Sequence, residues 1–243
     1  MSRKIIFVSH RAAPLLGEYF GDGAEIRPLP PSPRLPAATA DHGDMLLFPA
    51  GSRLFVPAYY YEENKALFDG INVTPAAEMH GDKYPADVLM NAFILKGCLY
   101  GRIDTIAGVI LSYAAEKGIR PVPVRQGYTK CSTALLPDAA VTADAGICHA
   151  LRENDTEALL IPPGHIELPG YDYGFIGGAS FYMDSSLYFF GKIEAHPAYR
   201  QIKEFCARRG VTPVSLGNGP LCDYGGALVL RRQKKGNLCA EKK

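Results

Sequence analysis

Five short stretches of the chain hold its chemically interesting side chains: HGDMLLF, PADVLMN, TKCSTAL, FIGGASF and LCDYGGA. Their third positions are Asp44, Asp87, Cys131, Gly177 and Asp223, which follow one another at intervals of 43 to 46 residues. A repeat of that length marks an array or closed ring of supersecondary units. In a closed five-unit arrangement the five stretches face one axis. Asp44, Asp87, Cys131 and Asp223 then converge, with His42, Lys130 and Cys222 beside them. Carboxylates about 6 Å apart repel by roughly 3 kcal/mol per pair at an effective dielectric near 20. Such a pocket either raises a carboxyl pKa or holds a cation. A thiol in that company is disfavoured as thiolate, its reactive form. Lys130, a protonated His42 or a bound cationic substrate could offset this.

Each of these residues also has a plainer reading. An isolated Asp is commonly a turn residue capping backbone N–H groups, and a cysteine is commonly a small buried apolar residue. His42, between Asp41 and Asp44, reads as a general acid/base, a metal ligand or a loop histidine paired with a carboxylate. No metal-binding spacing appears elsewhere, since Cys148-His149 is a lone pair on an expected helix. GFIGGAS is not a dinucleotide fingerprint, because a strand follows it. The sequence calls for no cofactor. GHIELPGYDYGF, with His165 and Glu167, is either a pocket-lining loop or a plain connector.

The elements that position these residues read as strand, helix, strand in each unit. Unit one opens with IIFVSH and, after a short variable stretch, continues with AEIRPLP. Unit two has LFVPAY, a short helix around 62–69 and INVTPA. Unit three has CLYGRI and a helix capped by Asp104 that carries Ile106, Val109, Ile110 and Tyr113 on one face, followed by IRPVPV. In unit four AVTADAG leads through a cap at Asp144 to a helix over 145–153 and ALLIPP. Unit five is the clearest, with SLYFFG, a helix carrying Tyr199, Ile202, Phe205 and Cys206 on one face, Gly210 as its stop, and VTPVSL. Pro197 is placed in that helix's first turn.

Composition sets the frame. The 243 residues are 47% hydrophobic and 21% charged, with a formal net charge of +1, and nothing in that balance points to nucleic acid or membrane. IIFV is too short for a signal peptide, and no later stretch could span a bilayer. Six cysteines without a CxxC pair read as free thiols in a reducing cytoplasm. Residues 1–230 are expected to form one domain. Residues 231–243, with six Lys or Arg and one Glu, are expected to be a basic, disordered tail.

The strings HGDMLLF, YPADVLMNA, QGYTKCS and GFIGGASF resemble those of an uncharacterised bacterial family of the guanidino-group-modifying, or pentein, amidinotransferase-like fold. The resemblance spans essentially residues 1–230. It implies a five-bladed α/β propeller of ββαβ units with pseudo-fivefold symmetry. It also implies a hydrolase or amidinotransferase acting on a guanidino or amidino compound, a cationic small molecule, through a cysteine nucleophile. Carried onto this sequence, Cys131 is the nucleophile with Cys222 in reserve, and His42 of the H-x-D string His42-Gly43-Asp44 handles protons. Asp44, Asp87, Asn91, Lys130 and Asp223 form the substrate-binding group. Gly177-Gly178 resembles the superfamily's E-G-G-D, with Ile176 in place of Glu and Ala179 in place of Asp. The same fold also supports a non-catalytic small-ligand or interaction module.

Overall fold

The computed structural model describes residues 4–231. A continuous run of buried apolar residues forms β1 (Lys4–Ser9), α1 (Ala13–Phe20) crosses over, and β2 (Ala24–Leu29) pairs parallel to β1. The one-turn helix α2 (Gly43–Leu46) leads into β3 (Phe48–Ala50), β4 (Arg53–Pro57), α3 (Ala58–Glu63) and β5 (Val73–Ala76). Then come β6 (Phe93–Leu95), β7 (Cys98–Gly101), α4 (Gly108–Glu116) and β8 (Arg120–Pro123), followed by β9 (Thr133–Leu135), β10 (Ala139–Thr142), α5 (Ala145–Glu153) and β11 (Glu157–Leu160). The chain continues with β12 (Ser180–Met183), β13 (Ser186–Phe190), α6 (Tyr199–Ala207) and β14 (Thr212–Leu216), and the described residues end on β15 (Ala227–Arg231).

These strands make five separate three-stranded sheets of one connectivity: an antiparallel pair, then a helix crossover to a parallel third strand. The first sheet takes its antiparallel strand from the far end of the chain, with β15 against β1 in the register Lys4↔Arg231. Among the described residues no hydrogen-bonded ladder joins one sheet to the next, so the strands do not close into a single barrel. Two hairpins are set by two-residue turns with both residues at positive φ, Lys96-Gly97 and Asp184-Ser185. That is the turn geometry that matches strand twist.

The apolar core runs between sheets. Ile5 and Phe7 of β1 pack with Leu54 and Val56 of β4, while Ile6 and Val8 pack with Phe181 of β12 and Phe190 of β13. Alternate side chains of a strand point to opposite faces, so β1 is buried on both, as parallel pairing under helices requires. Three further clusters link the second sheet to the third, the third to the fourth and the fourth to the fifth. Each helix of the five crossovers lies in one of these seams.

The helix over 145–153 matches its expectation: Asp144 Oδ1 accepts the Ile147 N–H at 2.8 Å. Unit three differs. Helix α4 starts at Gly108 rather than at Asp104, which pairs with Arg102 at the surface instead. Its first N–H is taken by the Glu78 carboxylate at 2.7 Å, a cap supplied from 30 residues upstream. The variable stretch of unit one is a full helix, α1. Pro197 falls just before α6 rather than within its first turn. Strand β15 extends to Arg231, and the rest of the basic stretch, 232–243, lies outside the described residues. Among the described residues no helix is long and apolar enough to cross a membrane.

Candidate active site

The linkers between sheets bring the candidate side chains together. His42 stands at the N-terminal boundary of α2, with Asp44 in its first turn, and the Asp44 N–H donates to Gly225 O at 3.1 Å. Cys131 lies on the turn before β9, where its carbonyl accepts the Gly178 N–H at 3.0 Å. Asp223 follows a short bridge, Cys222 to Glu167, on the way to β15. Two glycines let these segments close in. A Cβ on Gly178 would lie 1.9 Å from Asp223 Oδ1, and one on Gly225, at φ +73°, would lie 2.3 Å from His42 Cβ.

A cavity of about 220 Å³ opens over this meeting point. Cys131, His42 and Asp223 form its floor, and Thr39, Tyr128, Leu168, Tyr171, Asp172, Tyr173 and Phe175 complete its lining. His42 Nδ1 is 3.6 Å from Asp223 Oδ1, and both side chains are 1% exposed. Neither ring nitrogen of His42 has a hydrogen-bond partner among the described residues. Asp223 is fixed by the N–H groups of Phe175, at 2.8 Å to Oδ2, and Gly225, at 3.0 Å to Oδ1.

Burial governs the electrostatics. It pushes the Cys131 thiol well above the usual range; the Asp44 and Asp223 charges add to this, and Asn91 opposes it. The resting group is therefore a thiol, not a thiolate. Burial lowers the His42 pKa, against the pull of Asp223 and Asp41, so the ring is neutral and able to accept a proton. Burial raises Asp223, which His42 opposes and Asp44 reinforces. It also raises Asp44, partly offset by the Lys130 ammonium. Neither Asp44 carboxyl oxygen has a hydrogen-bond partner of normal geometry. Beside His42, Asp41 would also be raised by burial, but Arg11 and the Ser9 hydroxyl outweigh this and hold it low.

The other candidates take different places. Asn91 does not face the cavity. Its Oδ1 accepts the N–H groups of Lys130 at 2.7 Å and Cys131 at 3.2 Å, and its Nδ2 donates to Cys131 Sγ at 2.9 Å. Asp44 and Lys130 line a second, smaller cavity of about 100 Å³, which Cys131 does not line, among Pro49, Ile94 and Leu228. Asp87 departs from the expected convergence. It lines neither cavity, and its Oδ2 accepts the Tyr128 hydroxyl at 2.6 Å. Cys222 also points elsewhere, because consecutive residues of an extended segment face opposite ways. Burial raises its thiol; Tyr224 opposes this, the adjacent Asp223 and Glu167 add to it, and His42 is not among the groups acting on it. Sequence reasoning missed Thr39 and Tyr128, although Tyr128 stands three positions before Cys131 in QGYTKCS. The Tyr-rich loop after Gly170 does line the pocket. Among the described residues, no group of three His, Cys, Asp or Glu is disposed to hold a metal ion.

The chain belongs to a family of unknown function, DUF6873, whose model matches residues 8–228. No curated protein matches it. Solved structures of guanidino-modifying enzymes on the pentein fold are similar to it. Dimethylarginine dimethylaminohydrolase from Pseudomonas aeruginosa, complexed with citrulline, aligns at a TM-score of 0.56 and 11% identity, over 95% of this chain and 100% of that one. SxtG, an amidinotransferase of the saxitoxin biosynthetic pathway from Microseira wollei, aligns at 0.55 and 10%, over 97% and 96%. Agmatine deiminase from C. jejuni aligns at 0.56 and 7%, over 96% and 94%. At such identities the likeness establishes the fold: mixed α/β of the pentein type.

Proposed function

We propose that this DUF6873 protein is a guanidino- or amidino-modifying enzyme with Cys131 as nucleophile, His42 as proton carrier and Asp223 as the cation's main partner. One observation carries the reading: a single cavity is floored by a thiol, a neutral histidine and a buried carboxylate. The similar folds of a hydrolase, a deiminase and an amidinotransferase support it. The cyclic order of the apolar seams, the fifth sheet meeting the first, supports a five-bladed arrangement about a pseudo-fivefold axis. Free buried thiols suit a reducing cytoplasm.

A guanidinium arriving in the cavity supplies the positive charge that the carboxylates lack. It also offsets the charges that hold the Cys131 proton on. His42 takes that proton as the sulfur attacks the guanidinium carbon, and it returns the proton to the departing amine as the C–N bond breaks. In hydrolysis, His42 then deprotonates a water that attacks the thiouronium carbon, releasing a ureido product and restoring the thiol. In amidino transfer an amine takes the water's place. Asp44, Asp87, Asn91 and Lys130 act from behind: Asn91 fixes the Cys131 turn, Asp87 orients Tyr128, and the Asp44–Lys130 pair sets the local charge.

The test is a panel of guanidino compounds assayed for ureido product and ammonia. Cys131→Ser is expected to lower turnover by about 10³-fold or more, as loss of a covalent nucleophile does, while Cys222→Ser stays within about threefold. Equal loss in both variants would remove the assignment of Cys131. The competing reading, a binding module, is favoured by buried Ile176 where the superfamily's string has Glu. Tight binding without turnover in the unmodified protein would establish that reading instead.

A further inference from the structure

We propose that the 220 Å³ cavity selects a dication without any anionic group: an alkylguanidine carrying a second amine, rather than a free amino acid. This rests on the guanidino reading above and narrows its substrate class. The cavity is smaller than the roughly 300–1,000 Å³ of sites for drug-sized ligands, so its occupant is small. Its floor has the buried, unpartnered His42 and the Asp223 carboxylate. Its mouth has a second carboxylate, Asp172, on the exposed Tyr171–Tyr173 loop.

Among the described residues no Lys or Arg lines the cavity. Lys130 lines the smaller cavity, and Lys192 lines the neighbouring groove, which shares Leu168, Tyr171, Asp172 and Tyr173 with this one. A substrate carboxylate or phosphate would therefore enter a site that offers it no cationic partner and two carboxylates of its own sign. Burying an unpaired charge is costly. A second ammonium instead meets Asp172 and an aromatic wall. Tyr128 stacks on Phe175 with centroids 6.0 Å apart, and Tyr173 stands edge-on to Phe175 at 6.3 Å. Ring faces of this kind attract organic cations.

The experiment measures affinity of the full chain by calorimetry for three probes of matched length: agmatine, arginine and butylguanidine. Agmatine is expected to bind about tenfold or more tighter than arginine, whose carboxylate finds no partner. It should exceed butylguanidine by about threefold or more, the scale of a rim ion pair. In Asp172→Asn the agmatine-to-butylguanidine ratio should fall toward one. Asp172 is exposed, so the variant should fold. Arginine binding as tightly as agmatine, or a ratio unmoved by Asp172→Asn, would overturn the selectivity and leave the guanidino reading standing. No binding of any of the three would overturn both.

Discussion

Asp44 is a buried carboxyl with little support. It is 5% exposed, both its oxygens lack a normal hydrogen bond, and its neighbours are the Cys131 thiol and the more distant Lys130 ammonium. Uncompensated buried charge destabilises a fold by amounts of the order of kcal/mol, and such sites persist where function uses them. Because burial raises its pKa, ionised Asp44 lowers stability once pH climbs through the raised value. The penalty is absent below the ordinary carboxyl range, near pH 4. Asp44→Asn is thus expected to raise the unfolding free energy by about 1–3 kcal/mol at pH 8 and by nothing measurable near pH 4, as read from urea transitions. Cation affinity should fall in the same variant. A variant no more stable than the parent at pH 8 would show that Lys130 already neutralises the group.

At the scale of elements, the closest approaches fall at glycines. Gly177 meets the backbone oxygens of Lys130 and Thr133, each 2.3 Å from a Cβ placed there, while the three atoms nearest a Cβ on Gly178 all belong to the Asp223 carboxylate. The two positions therefore separate folding from positioning. Gly178→Ala is expected to move Asp223 off its Phe175 and Gly225 donors and cut turnover by about 10²-fold, the scale of a small misplacement of a catalytic group. It should leave the far-UV circular dichroism spectrum intact, whereas Gly177→Ala should fail to fold. Activity retained in Gly178→Ala would show that Asp223 is not needed in its observed place. What was legible beforehand follows the same division between local and distant causes. Helix α5 was readable because its cap, Asp144, is its own neighbour in sequence. Helix α4 was misplaced because its cap is Glu78, and α1 was missed because its start at Ala12 has no side-chain cap. Cys131 and Asp223, picked out by spacing, line one cavity, while Asp44 lies near Cys131 but lines another. In the second stretch both Asp87 and Asn91 are expected at the site, yet Asp87 holds the Tyr128 hydroxyl and Asn91 packs on Cys131 outside the cavity, because an interval alone does not show which way a turn residue points.

For the whole molecule, buried histidines are the groups that lose stability on the acid side. Burial lowers His42, His196 and His80, the last to about 4. A histidine whose folded pKa lies below its unfolded value takes up a proton on unfolding, so its contribution is intact above about pH 6.5 and is lost as pH falls toward the lowered value. At about 1.4 kcal/mol per pH unit, His80 alone removes roughly 3 kcal/mol between pH 6.5 and 4. Asp44, Asp223 and Asp87, raised by burial, act in the opposite sense over the same range, so the test is a difference: His80→Gln is expected to gain urea midpoint relative to the parent as pH falls from 7 to 5. A difference unmoved by pH would point to the other two rings. The pairing of β15 with β1 has a different reach. During synthesis a growing chain that stops short of residue 227 leaves the first sheet without its outer strand, and Asp223 emerges only a few residues earlier. On the proposed reading, a nascent chain shorter than this lacks the settled Asp223 segment, and the site becomes competent for a cation only once β15 has docked on β1.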